Sequence, residues 1–316
     1  MQVLIGVSMQ VLSDNLQVNM IAYRLYTNLF HVEHHSRGCV MLKWNIGQVT
    51  VTRILELEAP TSPRFLFGRS KQDVLSIEWL APHFVNEQGH MLLSIHALIV
   101  ESQGKRIIVD TCLGNDKERK IPGWGMRQGP FLEDLAQAGF AREHIDMVMC
   151  THLHVDHVGW NTMKVEGDWV PTFPNATYLF ARQEWAYWSE HEQEEFGPVV
   201  EDSVRPIVDA GLAELVEMDH HLTDEVWLEP TPGHTPGHVS VRISSEGEEA
   251  VITGDMTHHP CQMAHPDWAA HVDVDPVLST ATRRAFYDRY ADQPILIIGT
   301  HFATPTAGKI LRDGNA

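Results

Sequence analysis

The sequence predicts a layered α/β sandwich with its polar site along one edge. Two observations carry that prediction. Short apolar runs that read as strands recur through both halves of the chain with helical stretches between them, and several of these runs empty onto Asp or His. Elements that bury one face each must stack in layers, and residues delivered from strand ends gather on a common rim.

Taken in order, residues 1–40 mix short apolar pieces with His31, His34, His35 and Ser36 and show no period. They are expected to form an N-terminal extension, with the folded domain spanning 41–316. Residues 49–54 alternate as a half-buried strand, and 92–100 with 106–110 read as a hairpin turning at Ser102-Gln103-Gly104-Lys105. The second arm of that hairpin ends on Asp110. A helix is expected from 131 to 138, closed by Gly139, and 145–150 is a buried strand that delivers Thr151 and the histidines after it. The second half repeats the pattern, with strands at 176–180, 226–228, 239–243, 250–253 and 295–299 and a helix at 183–189.

Composition bounds the function. A chain of 316 residues with 43% hydrophobic content can bury a substantial core. Its 42 acidic against 23 basic residues leave a formal net charge of -19, which repels phosphate backbones and anionic lipid surfaces. Neither nucleic acid nor a membrane is expected as partner. Cys39, Cys112, Cys150 and Cys261 share no close spacing, so free thiols in a reducing cytoplasm are expected. There is no apolar run long enough to span a bilayer and no secretion signal at the N-terminus. Twenty histidines is a high count and hints at metal.

The hint sharpens at Thr151-His152-Leu153-His154-Val155-Asp156-His157-Val158-Gly159. Spacing of two puts His152 and His154 on one side of extended chain, while Asp156 and His157 fall where the chain turns. One pair can serve one ion and the other pair a second. Imidazole and carboxylate suit zinc, iron, cobalt or manganese, and a cluster without cysteine argues for an open, catalytic site.

The H-x-H-x-D-H run resembles the hallmark of the metallo-β-lactamase superfamily, and further motifs follow in that family's order across most of the chain. The resemblance implies a four-layer αββα sandwich and two zinc ions, with manganese, cobalt or iron as other candidates. It assigns one ion to His152, His154 and His234, the other to Asp156, His157 and His301, with Asp255 shared. His234 comes from Pro232-Gly233-His234-Thr235-Pro236-Gly237-His238, Asp255 follows the strand at 251–253, and His301 follows that at 295–298. Asp110 and His238 would support these ligands from behind. Aspartate at 255, where well-known di-zinc β-lactamases carry cysteine, lowers the antibiotic-hydrolase reading. The segment 254–262, Asp-His-Val-Gly-Trp at 156–160 and the segment 301–308 are similar to the quorum-quenching lactonase and methyl parathion hydrolase branch. There a histidine follows the shared aspartate by three, which places His258 beside Asp156 as a catalytic candidate. Trp160, Trp268 and Phe302 are the expected pocket walls.

The implied reaction is hydrolysis of a lactone or ester, with a phosphotriester left open, by a hydroxide shared between the two ions. The substrate is expected to be a small molecule, and homodimerisation is left open. No Gly-x-Ser-x-Gly elbow supplies a serine nucleophile. Two rivals remain: a nuclease of the same superfamily, which the acidic balance disfavours, and a binding module that kept its ligands without turnover.

Overall fold

In a computed structural model of the chain, residues 40–312 are described except 192. Before residue 40, the described residues are the strand segments 10–11, 18–19, 23–26 and 31–34. Cys39 and His35 lie outside the described residues.

Two mixed sheets form the centre. The first contains β2 (His31–His34), β3 (Val40–Ile46), β4 (Val49–Thr61), β5 (Met91–Ser102), β6 (Lys105–Val109), β7 (Met147–Met149), β8 (Thr177–Ala181) and β9 (Ala213–Val216). They lie side by side in chain order, antiparallel as far as β6 and parallel from β6 to β9. The second contains β1 (Tyr23–Tyr26), β10 (Val226–Pro230), β11 (Val239–Ser245), β12 (Glu248–Ile252), β13 (Leu296–Ile298) and β14 (Ala307–Arg312). Its order is β10-β11-β12-β13-β14-β1.

Side-chain alternation decides how these sheets stack. Leu98 and Val100 of β5 join Ala250 and Ile252 of β12 and Leu296 and Ile298 of β13 in one apolar layer between the sheets. Their neighbours Ala97 and Ile99 point the other way, into a layer shared with Phe131 and Leu135 of α1 (Phe131–Gln137) and with Trp188 of α2 (Arg182–Trp188). On the far side, Val251 and Ile297 meet Phe286, Tyr287 and Tyr290 of α3 (Pro276–Tyr290). Helix, sheet, sheet and helix therefore stack as four layers, and the period-two pattern of a strand is what lets each sheet feed two cores. The expected hairpin turns where the sequence places it, with Ser102 opposite Lys105. The α3 helix went unread in the sequence although Asp275 caps it, accepting from Val277 N and Leu278 N, and Pro276 opens it. Its apolar residues form no clear stripe. Among the described residues no helix is long and apolar enough to cross a membrane.

The sheets run back past the boundary expected at residue 41. Tyr23–Tyr26 pairs with Lys309–Arg312 and His31–His34 pairs with Val40–Lys43, and Leu25 is buried in the core beside α3. Edge strands contribute mainly by pairing, a signal that periodicity does not carry. We therefore move the proposed boundary to just before Tyr23. A chain begun at residue 41 is expected to melt several degrees below one begun just before Tyr23, because burial of Leu25 alone is worth about 2 kcal/mol. Coincident thermal melts would return the boundary to residue 41.

Candidate metal centre

The strand ends on one rim deliver the cluster. Asp110 follows β6, Thr151 to His157 follow β7, His234 lies between β10 and β11, Asp255 follows β12 and His301 follows β13. The 151–160 loop is strapped to the loop after β6, with Thr111 N donating to His157 O at 2.7 Å, Gly159 N to Cys112 O at 2.7 Å and Trp160 N to Thr111 O at 2.8 Å. Gly159 permits that approach, since a Cβ there would lie 2.0 Å from Leu113 O.

Two groups of side chains converge. His234 Nε2 lies 3.2 Å from His152 Nε2 and 2.9 Å from His154 Nδ1. His301 Nε2 lies 3.2 Å from His157 Nε2 and 3.6 Å from Asp156 Oδ2. Asp255 Oδ2 stands between the groups, 3.6 Å from His234 Nε2, 3.4 Å from His157 Nε2 and 3.1 Å from His301 Nε2. The opposite ring nitrogens are held from behind. His157 Nδ1 donates to Asp110 Oδ2 at 2.9 Å, His234 Nδ1 to Asp273 Oδ1 at 2.8 Å and His301 Nδ1 to Ser94 O at 2.9 Å.

That back bonding fixes the tautomers, so in neutral rings the inward nitrogens present lone pairs to one another. Lone pairs facing at such separations repel unless a cation sits among them. Asp255 Oδ1, also buried, has no hydrogen-bond partner among the described residues. Divalent ions fit both observations, and the donor set of imidazole and carboxylate suits zinc. The electrostatics agree. Burial opposes a charge on His301, but the carboxylates of Asp255 and Asp156 outweigh it and push its pKa up to about 9. His157 is likewise raised against burial, by Asp255, Asp110 and Asp156. His152 and His154 are driven well below the ordinary range by burial and by neighbouring imidazoles. The protein alone thus gathers a negative pole that attracts cations, and taking up metal would release protons from it.

A profile of the metallo-beta-lactamase superfamily matches residues 91–298, well over half of the chain. The chain belongs to the metallo-beta-lactamase superfamily. Among curated superfamily relatives, an N-acyl homoserine lactonase of Bacillus sp is 26% identical over 180 residues, covering 52% of this chain and 64% of the relative. The chain thus spans less than two thirds of that relative's length. Among solved structures, AidC, a dizinc quorum-quenching lactonase in complex with a product, is similar at TM-score 0.69 and 20% identity, covering 87% of this chain and 97% of that one. The hydrolase AbOPH is similar at TM-score 0.69 and 23% identity, with the same shares covered. These structural likenesses show the superfamily fold.

A cavity of about 540 Å³ opens onto the cluster. Its polar floor is His154, Asp156, Asp255, His258 and His301, and its walls include Leu57, Phe65, Leu93, Ile95, Ile121, Trp124, Phe196 and Val272. No lysine or arginine lines it among the described residues. His258 stands on the floor with neither ring nitrogen hydrogen-bonded, its Nε2 3.3 Å from Asp255 Oδ2.

The three expected walls lie elsewhere. Trp160 turns away from the cavity, stacks on Phe131 at 5.5 Å and donates through Nε1 to Glu56 Oε1 at 2.8 Å. Trp268 sits one layer back, against His265 and Phe67. Phe302 is fully buried beneath the rim against Phe84. Nearness in sequence to a ligand does not say which way a side chain leaves a turn, and all three leave it toward the core. His238 is buried behind Asp255, accepting from Asp255 N at 2.8 Å through Nε2.

Glu56 and Asp273 were missed. Glu56 is the extra residue of a bulge in β4, between Leu55 and Leu57, and its carboxylate accepts from Leu113 N at 2.8 Å and Gly114 N at 3.2 Å as well as from Trp160. Burial pushes its pKa up, against the pull of these donors. Asp273, which aligns His234, is one acid in a loop and carries no sequence signal.

Proposed function

We propose that the chain is a dinuclear metal-dependent hydrolase of neutral lactones or esters bearing an apolar acyl group. The cavity carries this reading, since an apolar chamber without a cation opens directly onto the clustered donors. His152, His154 and His234 would hold one ion, Asp156, His157 and His301 the other, with Asp255 shared. Two zinc ions in that donor set supply Lewis acidity and a water that ionises near neutral pH.

The chain's own residues do the rest. Leu93, Ile95, Ile121 and Phe196 would desolvate the acyl group and hold its carbonyl over the cluster. Asp156 borders the cavity with both oxygens turned toward the inward nitrogens of His157 and His301, where it can accept a proton as the carbonyl is attacked. His258, neither of whose ring nitrogens is hydrogen-bonded among the described residues, can donate to the substrate's oxygen from the cavity floor. The lactonase names among the relatives and structural neighbours support the same substrate class. The nuclease alternative needs cations along a phosphate track, and an anionic β-lactam or thioester would likewise find none in this cavity.

Zinc-loaded protein is expected to carry close to two ions per chain by elemental analysis. It should turn over an N-acyl homoserine lactone or an aryl ester faster than a β-lactam. A β-lactam outpacing lactone, aryl ester and phosphotriester alike would overturn the substrate assignment, and saturation at one ion would overturn the dinuclear one.

A further inference from the structure

Between Asp156 and the loop bearing His234 lies α2, which follows β8 directly and whose Glu184 is buried with its side chain reaching two ligand loops at once. Glu184 Oε1 accepts from Leu153 N at 3.0 Å and from Trp188 Nε1 at 2.7 Å, while Oε2 accepts from Gly237 N at 2.9 Å. Leu153 is the residue between His152 and His154. Its other peptide group is also gripped, since Gln193 Nε2 donates to Leu153 O at 2.6 Å. Gly237 lies three residues beyond His234, and a Cβ on it would sit 2.2 Å from Glu184 N, so only glycine lets the two loops share one carboxylate. The indole of Trp188, held by the same carboxylate, packs edge-on against the His154 ring with centroids 5.2 Å apart.

We propose that Glu184 is a positioning residue that sets the ligand geometry of the His152, His154 and His234 site by locking the Leu153 peptide to the 231–238 loop. This rests on the reading that these histidines hold an ion. The physical reason is that the ligands come from different sheets, so their relative placement depends on a bridge. A carboxylate suits it because the three N–H groups facing it can only donate and the Thr235 hydroxyl beside them can donate too, and a buried acceptor with two oxygens can satisfy all of them. An amide cannot: its NH2 must face either the Leu153 side or Gly237 N, leaving donor against donor. The hydrogen bonds of Glu184 reach none of Asp156, His157 and His301, and the back bonds of that other site run to Asp110 and Ser94 instead.

The test uses the full chain stripped of metal and titrated with zinc against a competing chelator. Glu184→Gln keeps the side-chain volume, and Glu184→Ala removes the bridge. In Glu184→Gln the affinity for one zinc is expected to fall about tenfold to a hundredfold, the usual effect of losing an outer-shell partner. The second zinc should bind as in the parent, while the metal-free melting temperature falls by no more than a few degrees, the cost of one buried donor left without an acceptor. The visible spectrum of cobalt-loaded Glu184→Gln should change at one site only. Parent affinity for both ions in Glu184→Gln would overturn the proposal, as would an equal loss at both sites that tracks a fall in metal-free melting temperature. Parent protein that binds no zinc pair would overturn the functional reading and this one together. A normal pair with no lactone or ester turnover would overturn only the substrate assignment.

Discussion

Asp255→Ala is expected to strip both ions, lowering zinc from about two per chain to below one after gel filtration, and to cut kcat/KM by more than the hundredfold scale of an outer-shell loss. The reason is geometric. One oxygen of Asp255 lies within 3.1 to 3.6 Å of the inward nitrogens of His301, His157 and His234, which belong to different groups. The second oxygen has no hydrogen-bond partner among the described residues. Removing the carboxylate leaves Asp156, on one side of the cluster, as the inward carboxylate to balance two divalent charges. Elemental analysis and turnover measured on the same sample decide the matter, and retention of two ions at the parent affinity would show that Asp255 is not shared.

His234→Ala and His238→Ala should separate, although the two residues lie in one short motif. His234 points its Nε2 at His152 and His154, so its loss removes a third ligand from one ion, and that ion's occupancy should collapse together with hydrolysis. His238 faces the backbone, accepting from Asp255 N while its Nδ1 lies 3.0 Å from Thr231 O. Its loss leaves the N–H of Asp255 buried without an acceptor, a penalty of about 1 to 3 kcal/mol to local structure. His238→Ala should therefore hold two ions and lose about tenfold in rate, more damage than its distance from the inward donors alone would suggest. Equal loss of metal in both variants would overturn the assignment of His234 as the ligand.

How legible the site was depended on how each residue is placed. His152, His154, Asp156 and His157 are neighbours in sequence, so their spacing on the chain is already most of their spacing in space. His234, Asp255 and His301 are far apart but each follows an apolar strand, and strands of stacked sheets end on common rims. Local pattern therefore determined most of the strands, a layered sandwich, the acidic surface and the donors of the 152–157 run, while the four-layer stacking and the later donors came with the family resemblance.

Tertiary structure alone decided what stands behind the donors and what walls the cavity. Glu56 enters through a strand bulge, Glu184 through a short helix between two strands of the first sheet and Asp273 through a loop, and each meets partners 30 or more positions away along the chain. No periodicity marks such a carboxylate, because its role is set by which loops fold over it. The same holds for Trp160, Trp268 and Phe302: the sequence says that they flank the site, but the direction of each side chain follows from backbone torsion and from which core lies nearest. Hydrophobic burial drew them inward, and the walls were left to Ile121, Trp124 and Phe196, on loops whose approach only the folded chain determines.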